Sequence, residues 1–164
     1  MDFSLHLHTC NVETSVRKVT NPFTGTPVEV PIDEGLTAAE RDAVRAFLAE
    51  VGAGEPDADT YCKIDLPDGS IVSVAIGTLD QEHACVAFAV ECSTLTANTV
   101  SFVFELARRG NMSIGSTVAP EIVALPSVAA NDCMTRRWPM AQSAETPAQL
   151  RAWLRNYINR GIIV

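Results

Sequence analysis

No run in this chain stays apolar for the roughly 20 residues a helix needs to cross a bilayer, and Glu91 and Glu105 interrupt the longest candidates. The opening MDFSLHLHTC has an early acid, no basic stretch and alternating polar residues. No export signal is therefore expected, and the cytoplasm is the expected compartment. The five cysteines, Cys10, Cys62, Cys85, Cys92 and Cys133, are odd in number, and none lies within six residues of another. That spacing excludes CxxC metal knuckles and redox pairs, and predicts reduced, buried thiols that behave as small hydrophobes. Glycine-rich phosphate cradles of the GxxxxGK[ST] and GxGxxG types are missing, and so is the GxSxG nucleophile elbow. Ser113-Ile114-Gly115-Ser116 lacks the context of such an elbow, and no cysteine carries the local signature of a Cys–His nucleophile. Internal repeats and low-complexity tracts are lacking as well.

What is present is enough for a core. A length of 164 residues fits one globular domain spanning 1–164, and a hydrophobic content of 47% with 20% charged residues argues against disorder. The net charge of −8 has a local origin. Between Glu29 and Asp68 eleven acids face only Arg41, Arg45 and Lys63, whereas the rest of the chain balances at nine of each sign. From Leu106 onward seven arginines outnumber Glu121, Asp132 and Glu145. An acidic surface of this kind suits solubility and also suits a basic protein partner. It disfavours nucleic acid, which requires a positive footprint.

Taken in order, residues 3–10 alternate as a strand, with Phe3, Leu5 and Leu7 on one face and Ser4, His6, His8 and Cys10 on the other. Residues 16–20 and 28–32 predict a hairpin with the long tip TNPFTGTP, its second strand held to an edge or cut short by Pro31. Thr37 and Glu40 form a capping box for a helix whose stripe is Val44, Phe47, Leu48 and Val51, with Gly52 as its stop. A second hairpin pairs 61–66 with 70–77 through Pro67-Asp68-Gly69, and places Cys62, Ile64, Leu66, Val72, Val74 and Ile76 inward.

The segment 84–118 reads as a β-α-β unit around which the rest can pack. Thr96 or Asn98 caps its helix, Val100, Val103, Phe104 and Ala107 line it, and Gly110-Asn111 stops it. If strands 84–92 and 112–118 are parallel neighbours, the crossover is right-handed. Residues 119–145 are the least regular. A last helix begins with Thr146, Pro147 and Gln149, buries Leu150, Trp153, Leu154, Tyr157 and Ile158, and closes at Gly161. Residues 162–164 add a short strand or cover a core edge. The expected class is α+β: a mostly antiparallel sheet of about six or seven strands, with mixed pairing allowed, and three helices mainly on one face.

Chemistry-bearing candidates are few. His6 and His8, two apart on a strand, point the same way and can chelate a metal. Cys10 lies about 13 Å from His6 along a straight strand, beyond the combined reach of the two side chains. His83 is the sole other histidine. The stretch FSLHLHT resembles the opening motif of the PHP phosphoesterase family over seven residues. That family requires further histidines and acids along a larger barrel, so no activity and no site residue is taken from the resemblance. Neither a cofactor nor a metal is expected, and no catalytic residue is assigned.

Contact candidates are more numerous. The acid pairs Asp33-Glu34 and Asp57/Asp59 lie in turn-rich stretches. Phe23 sits at the hairpin tip, either tucked under the loop or offered outward. Arg108-Arg109 complements the helix dipole, whereas Arg136-Arg137-Trp138 falls where no secondary structure requires it, and arginine and tryptophan are enriched at binding hot spots. The expectation is a non-enzymatic interaction protein, similar in size and charge to bacterial immunity proteins or antitoxins, that neutralises a basic partner through Asp33, Glu34, Asp57, Asp59, Phe23, Arg136, Arg137 and Trp138. No nucleic-acid or membrane partner is expected. The rival expectations are a metal-dependent enzyme built on His6 and His8, and a homo-oligomer joining the acidic part of one chain to the arginines of another.

Overall fold

A computed structural model describes residues 3–58, 60–79, 85–116, 123–125 and 142–159. Strand β1 (Phe3–Thr9) is flanked on both sides, by β6 (Ala87–Cys92) and by β7 (Met112–Ser116), and is antiparallel to each. Beyond β6 lie β5 (Ile71–Ala75) and the edge strand β4 (Tyr61–Asp65); beyond β7 lie β8 (Val123–Leu125) and β9 (Gln142–Ser143). The sheet order is β4-β5-β6-β1-β7-β8-β9, and β8–β9 is the parallel pair in it. The class is α+β, as the residue pattern predicts.

The alternation in β1 sets which face is covered. Leu5 and Leu7 are buried, opposite Val90 and Phe88 on β6, and Leu7 is also opposite Ile114 on β7. Cys62 and Ile64 meet Val74 and Val72 across the β4–β5 hairpin on the same buried side. Onto this surface pack α1 (Ala38–Glu50) through Val44, Phe47 and Leu48, α2 (Ala97–Arg109) through Val100, Val103 and Leu106, and α3 (Pro147–Asn159) through Leu150, Trp153 and Leu154. Each such side chain removed from water contributes about 1.5–3 kcal/mol before the entropy of ordering is counted. The opposite face carries His6, His8, Ser73, Ala75, Ala87 and Ala89, all half-buried.

The helix ends follow the residues that mark them. Thr37 Oγ1 accepts from Glu40 N and Glu40 Oε2 from Thr37 N, and Gly52 follows α1 at φ 72°. In α2 it is Thr96, not Asn98, that caps, and Thr99 returns the bond to Thr96 N at 2.8 Å. The left-handed residue after α2 is Asn111 (φ 50°), not Gly110. Gly110 sits in a tight space, because a Cβ would stand 3.0 Å from Met112 Sδ and 3.2 Å from Val44 Cγ2 on α1. Gln149 Oε1 accepts from Thr146 N at the start of α3, and Gln149 N donates to Thr146 Oγ1. The expected stop at Gly161 and the segment 162–164 lie outside the described residues.

The β6-α2-β7 unit differs from a pair of parallel neighbours. β6 and β7 do run parallel, yet β1 lies between them and bonds to both. A strand with two apolar residues facing the helices gains most by lying centrally, where neither edge is left unpaired. At the other end, the loop before β4 closes that edge: Gly54 N and Asp57 N donate to Lys63 O and Tyr61 O, and Asp57 Oδ1 accepts from Tyr61 N.

Candidate functional site

Strands β2 (Val12–Thr20) and β3 (Pro27–Asp33) pair with each other and with no strand of the main sheet. At ~3.3 Å per residue, the nine residues of β2 make a ribbon about 30 Å long. The pairing brings Val19 opposite Val28 and Arg17 opposite Val30, so these four share one face. Val16, Lys18 and Glu29 occupy the other, where Lys18 Nζ and Glu29 Oε1 are 4.0 Å apart. The register slips between Val12 and Val16, next to Pro31, consistent with a residue that has no N–H to give the ladder.

The tip is ordered by Asn21. Its Oδ1 accepts from Phe23 N (2.8 Å) and Thr24 N (3.2 Å), its backbone oxygen from Gly25 N, and its own N–H donates to Thr26 O. This Asx turn lifts Phe23 clear of the loop, and its side chain is 95% exposed. Phe23, Val16 (49%) and Val28 (39%) are the exposed large hydrophobics among the described residues, and all three belong to the ribbon. Single exposed apolar residues are ordinary on a protein surface, but their confinement to one projecting element is not. Pro27 and Pro31 bring no N–H to either edge of β3, which limits open-ended strand addition and leaves recognition to side chains.

The root of the ribbon is fixed by a polar network. Asn11 Nδ2 donates to Gly35 O (2.9 Å) and to Glu40 Oε2 (2.7 Å), while its Oδ1 accepts from Asn111 Nδ2 (3.0 Å). Buried Thr9 donates from Oγ1 to the same Gly35 oxygen and accepts from Asn11 N. Gly35, at φ 76°, turns the chain from β3 into α1, and a Cβ on it would stand 3.2 Å from Cys85 O. His8 Nε2 approaches Asp33 Oδ2 at 3.5 Å, and His8 Nδ1 lies 3.0 Å from Thr9 O. Both imidazole nitrogens thus face oxygen acceptors.

The acids expected to act together are placed apart. Asp33 and Glu34 stand at the N-terminal end of α1 and Asp57 beyond its C-terminal end, a helix of 13 residues and roughly 20 Å away. Asp33 is engaged by His8 and Asp57 by the Tyr61 N–H, whereas Glu34 is exposed. Asp59, Arg136, Arg137 and Trp138 lie outside the described residues, as do His83 and Cys133. Arg108 and Arg109 have structural partners: Arg108 Nη2 is 2.6 Å from Glu105 Oε2, and the Arg109 guanidinium lies 5.7 Å from the centre of the Phe47 ring.

His6 and His8 have ring centres 5.9 Å apart, but no group of three His, Cys, Asp or Glu side chains suited to a metal occurs among the described residues. Cys10, Cys62, Cys85 and Cys92 are buried. Burial pushes the Cys92 thiol up to about 12 and raises Cys62 and Cys85 as well, so these three stay protonated and poorly nucleophilic. Among the described residues no helix is long and apolar enough to cross a membrane.

Sequence patterns left Asn11, Thr9 and Gly35 unnoticed. Each acts through partners 24 to 100 positions away, and the sole local signal was an Asn immediately after a strand. Compared with protein families, curated proteins and solved structures, the chain matches none.

Proposed function

We propose that this chain is a non-enzymatic binding domain that engages a basic protein through the β2–β3 ribbon, with the acids near the ribbon's root contributing charge. The observation that carries this reading is the gathering of Val16, Phe23 and Val28, exposed, on an element that among the described residues pairs only with itself. An aromatic held outward by an ordered turn loses little entropy on binding, which suits it as an anchor. Exposed Glu29 lies along the ribbon and exposed Glu34 at its root, and the net charge of −8 steers a cationic partner toward the chain. Asp33, beside His8, and Asp57, bonded by the Tyr61 N–H, remain charge contacts in this reading, and exposed Glu34 and Glu29, the latter 4.0 Å from Lys18 Nζ, add to them. An immunity-protein or antitoxin role in the cytoplasm is the specific form of this reading.

Site-specific photo-crosslinking tests it. A benzophenone side chain in place of Phe23 is expected to capture one basic protein, with a yield that falls as salt is raised and in the Glu29→Lys/Glu34→Lys variant. The same group at exposed Ala46, about two turns into α1, is expected to capture nothing. Equal capture from both positions, or capture of a second copy of this chain, contradicts the proposal.

A further inference from the structure

Helices α2 and α3 leave between their first turns a cleft of about 590 Å³, open to solvent. Its floor is small and apolar, formed by Ala97, Val100, Pro147 and Ala152. Its polar groups are the hydroxyls of Ser101 and Thr146 and the side chains of Arg151 and Arg155, one helical turn apart on α3. Among the described residues no carboxylate lines it.

The two arginines differ from others in the molecule. Arg45, Arg108 and Arg109 each lie within 4 Å of a carboxylate, at 3.1, 2.6 and 3.7 Å. Arg151 and Arg155 make no ion pair or side-chain hydrogen bond among the described residues; Arg151 Nε is buried without a hydrogen-bond partner, as Arg109 Nε is, but Arg109 Nε has the Glu105 carboxylate 3.8 Å away and Arg151 Nε has no carboxylate within 4 Å among the described residues. A buried donor left unpaired costs free energy that a bound acceptor would recover. One buried unpaired donor on Arg151 and the exposed guanidinium of Arg155 beside it put positive charge on the cleft wall that no carboxylate among the described residues neutralises. The apolar floor beside them sets the rest of the ligand's character, and the volume is that of a small-molecule site.

We propose that this cleft binds a small amphipathic organic anion. Its carboxylate or phosphate lies between Arg151 and Arg155, and its hydrocarbon part lies on Ala97, Val100 and Ala152. The positive ends of α2 and α3, which both begin here, add to the attraction without carrying it. The ribbon plays no part in this site.

The test is an amide-resolved NMR titration of the whole chain with octanoate and with phenyl phosphate, against octanol and inorganic phosphate as controls. Both organic anions are expected to bind saturably, shifting residues 97–101 and 146–155, and the controls to bind at least about tenfold more weakly. Arg155→Glu and Ala152→Trp, both at exposed positions, are expected to lower the affinity about tenfold or more while leaving the rest of the spectrum unchanged. A stronger response to one of the two anions identifies the headgroup. Octanol binding as well as octanoate, inorganic phosphate binding as well as phenyl phosphate, binding unaffected by Arg155→Glu, or no saturable shift with either organic anion overturns the proposal. A glutamate-rich peptide binding where the two small anions do not would also overturn it, and would assign the cleft to a protein partner.

Discussion

Asn11 Nδ2 donates to Glu40 Oε2 across 2.7 Å, so the residue preceding the ribbon is tied to the acid that closes the capping box of α1. Glu40 thereby serves two donors with one oxygen, the Thr37 N–H and the Asn11 amide. The start of the ribbon is thus joined to the first turn of α1. Asn111 extends the tie to the end of α2.

Replacing Asn11 with Ala removes this junction. It leaves the Gly35 oxygen and the Asn111 amide short of partners, and each unmet half-buried group costs about 1–3 kcal/mol at most. The expected loss is about 2 kcal/mol in urea unfolding, with the m-value unchanged. Amide exchange is expected to accelerate in residues 12–33 more than in the main sheet. Uniform acceleration would show that Asn11 supports the whole fold and not the ribbon's attachment.

Thr96 is predicted to matter through two bonds. It caps α2 by accepting from Thr99 N, and together with Ser70 it hydrogen-bonds Asp68. Those hydrogen bonds, from Ser70 first and Thr96 second, hold the Asp68 carboxyl down to about 2 from its ordinary 3.8. Thr96→Ala should cost about 1 kcal/mol, in the range of a lost N-cap. A depressed carboxyl stabilises the fold above its unfolded value and loses that contribution as pH falls. The Asp68 part of stability is therefore present above pH 3.8 and lost as pH approaches about 2. Carbon-detected NMR titration of the Asp68 carboxyl, with and without Thr96, checks both effects: its midpoint should rise in Thr96→Ala.

His6 gives the opposite end of the pH range. Burial lowers its affinity for a proton from the ordinary 6.5, so the folded chain prefers the neutral ring. The unfolded chain then binds more protons, and stability rises with pH through the window below 6.5. Acidification through that window is expected to weaken the fold, and His6→Gln should reduce the slope of stability against pH. Ring-proton NMR that places the His6 midpoint at or above 6.5 would contradict this.

Legibility in the sequence followed the distance over which each feature is decided. The boxes Thr37/Glu40 and Thr146/Gln149 are closed within one turn, and their residues announce them. The inward sets of β1 and of the β4–β5 hairpin follow from alternation alone. The insertion of β1 between β6 and β7 depends on pairings more than 80 positions apart, such as Leu7 with Phe88, and no local pattern encodes it. Asn21, Pro22 and Gly25 signalled a turn, but whether Phe23 tucked in or pointed out depended on the bonds that the Asn21 side chain makes to Phe23 N and Thr24 N. Arg151 and Arg155 read as the polar side of an amphipathic helix, because the cleft beside them is made by a second helix 50 positions earlier. Composition showed the excess of acids but could not divide them between the two ends of α1.

The central claim, that the ribbon is the partner-binding element, is tested most directly by native mass spectrometry of the protein isolated gently from its own cells. The wild-type chain and a Phe23→Ser variant of equal thermal stability are compared. The account predicts a heterocomplex with a basic protein for the wild type, and loss of that complex for the variant, since truncating a central aromatic anchor costs about 2 kcal/mol or more. A heterocomplex that survives Phe23→Ser, or a wild-type chain found only free or only with copies of itself, would contradict it.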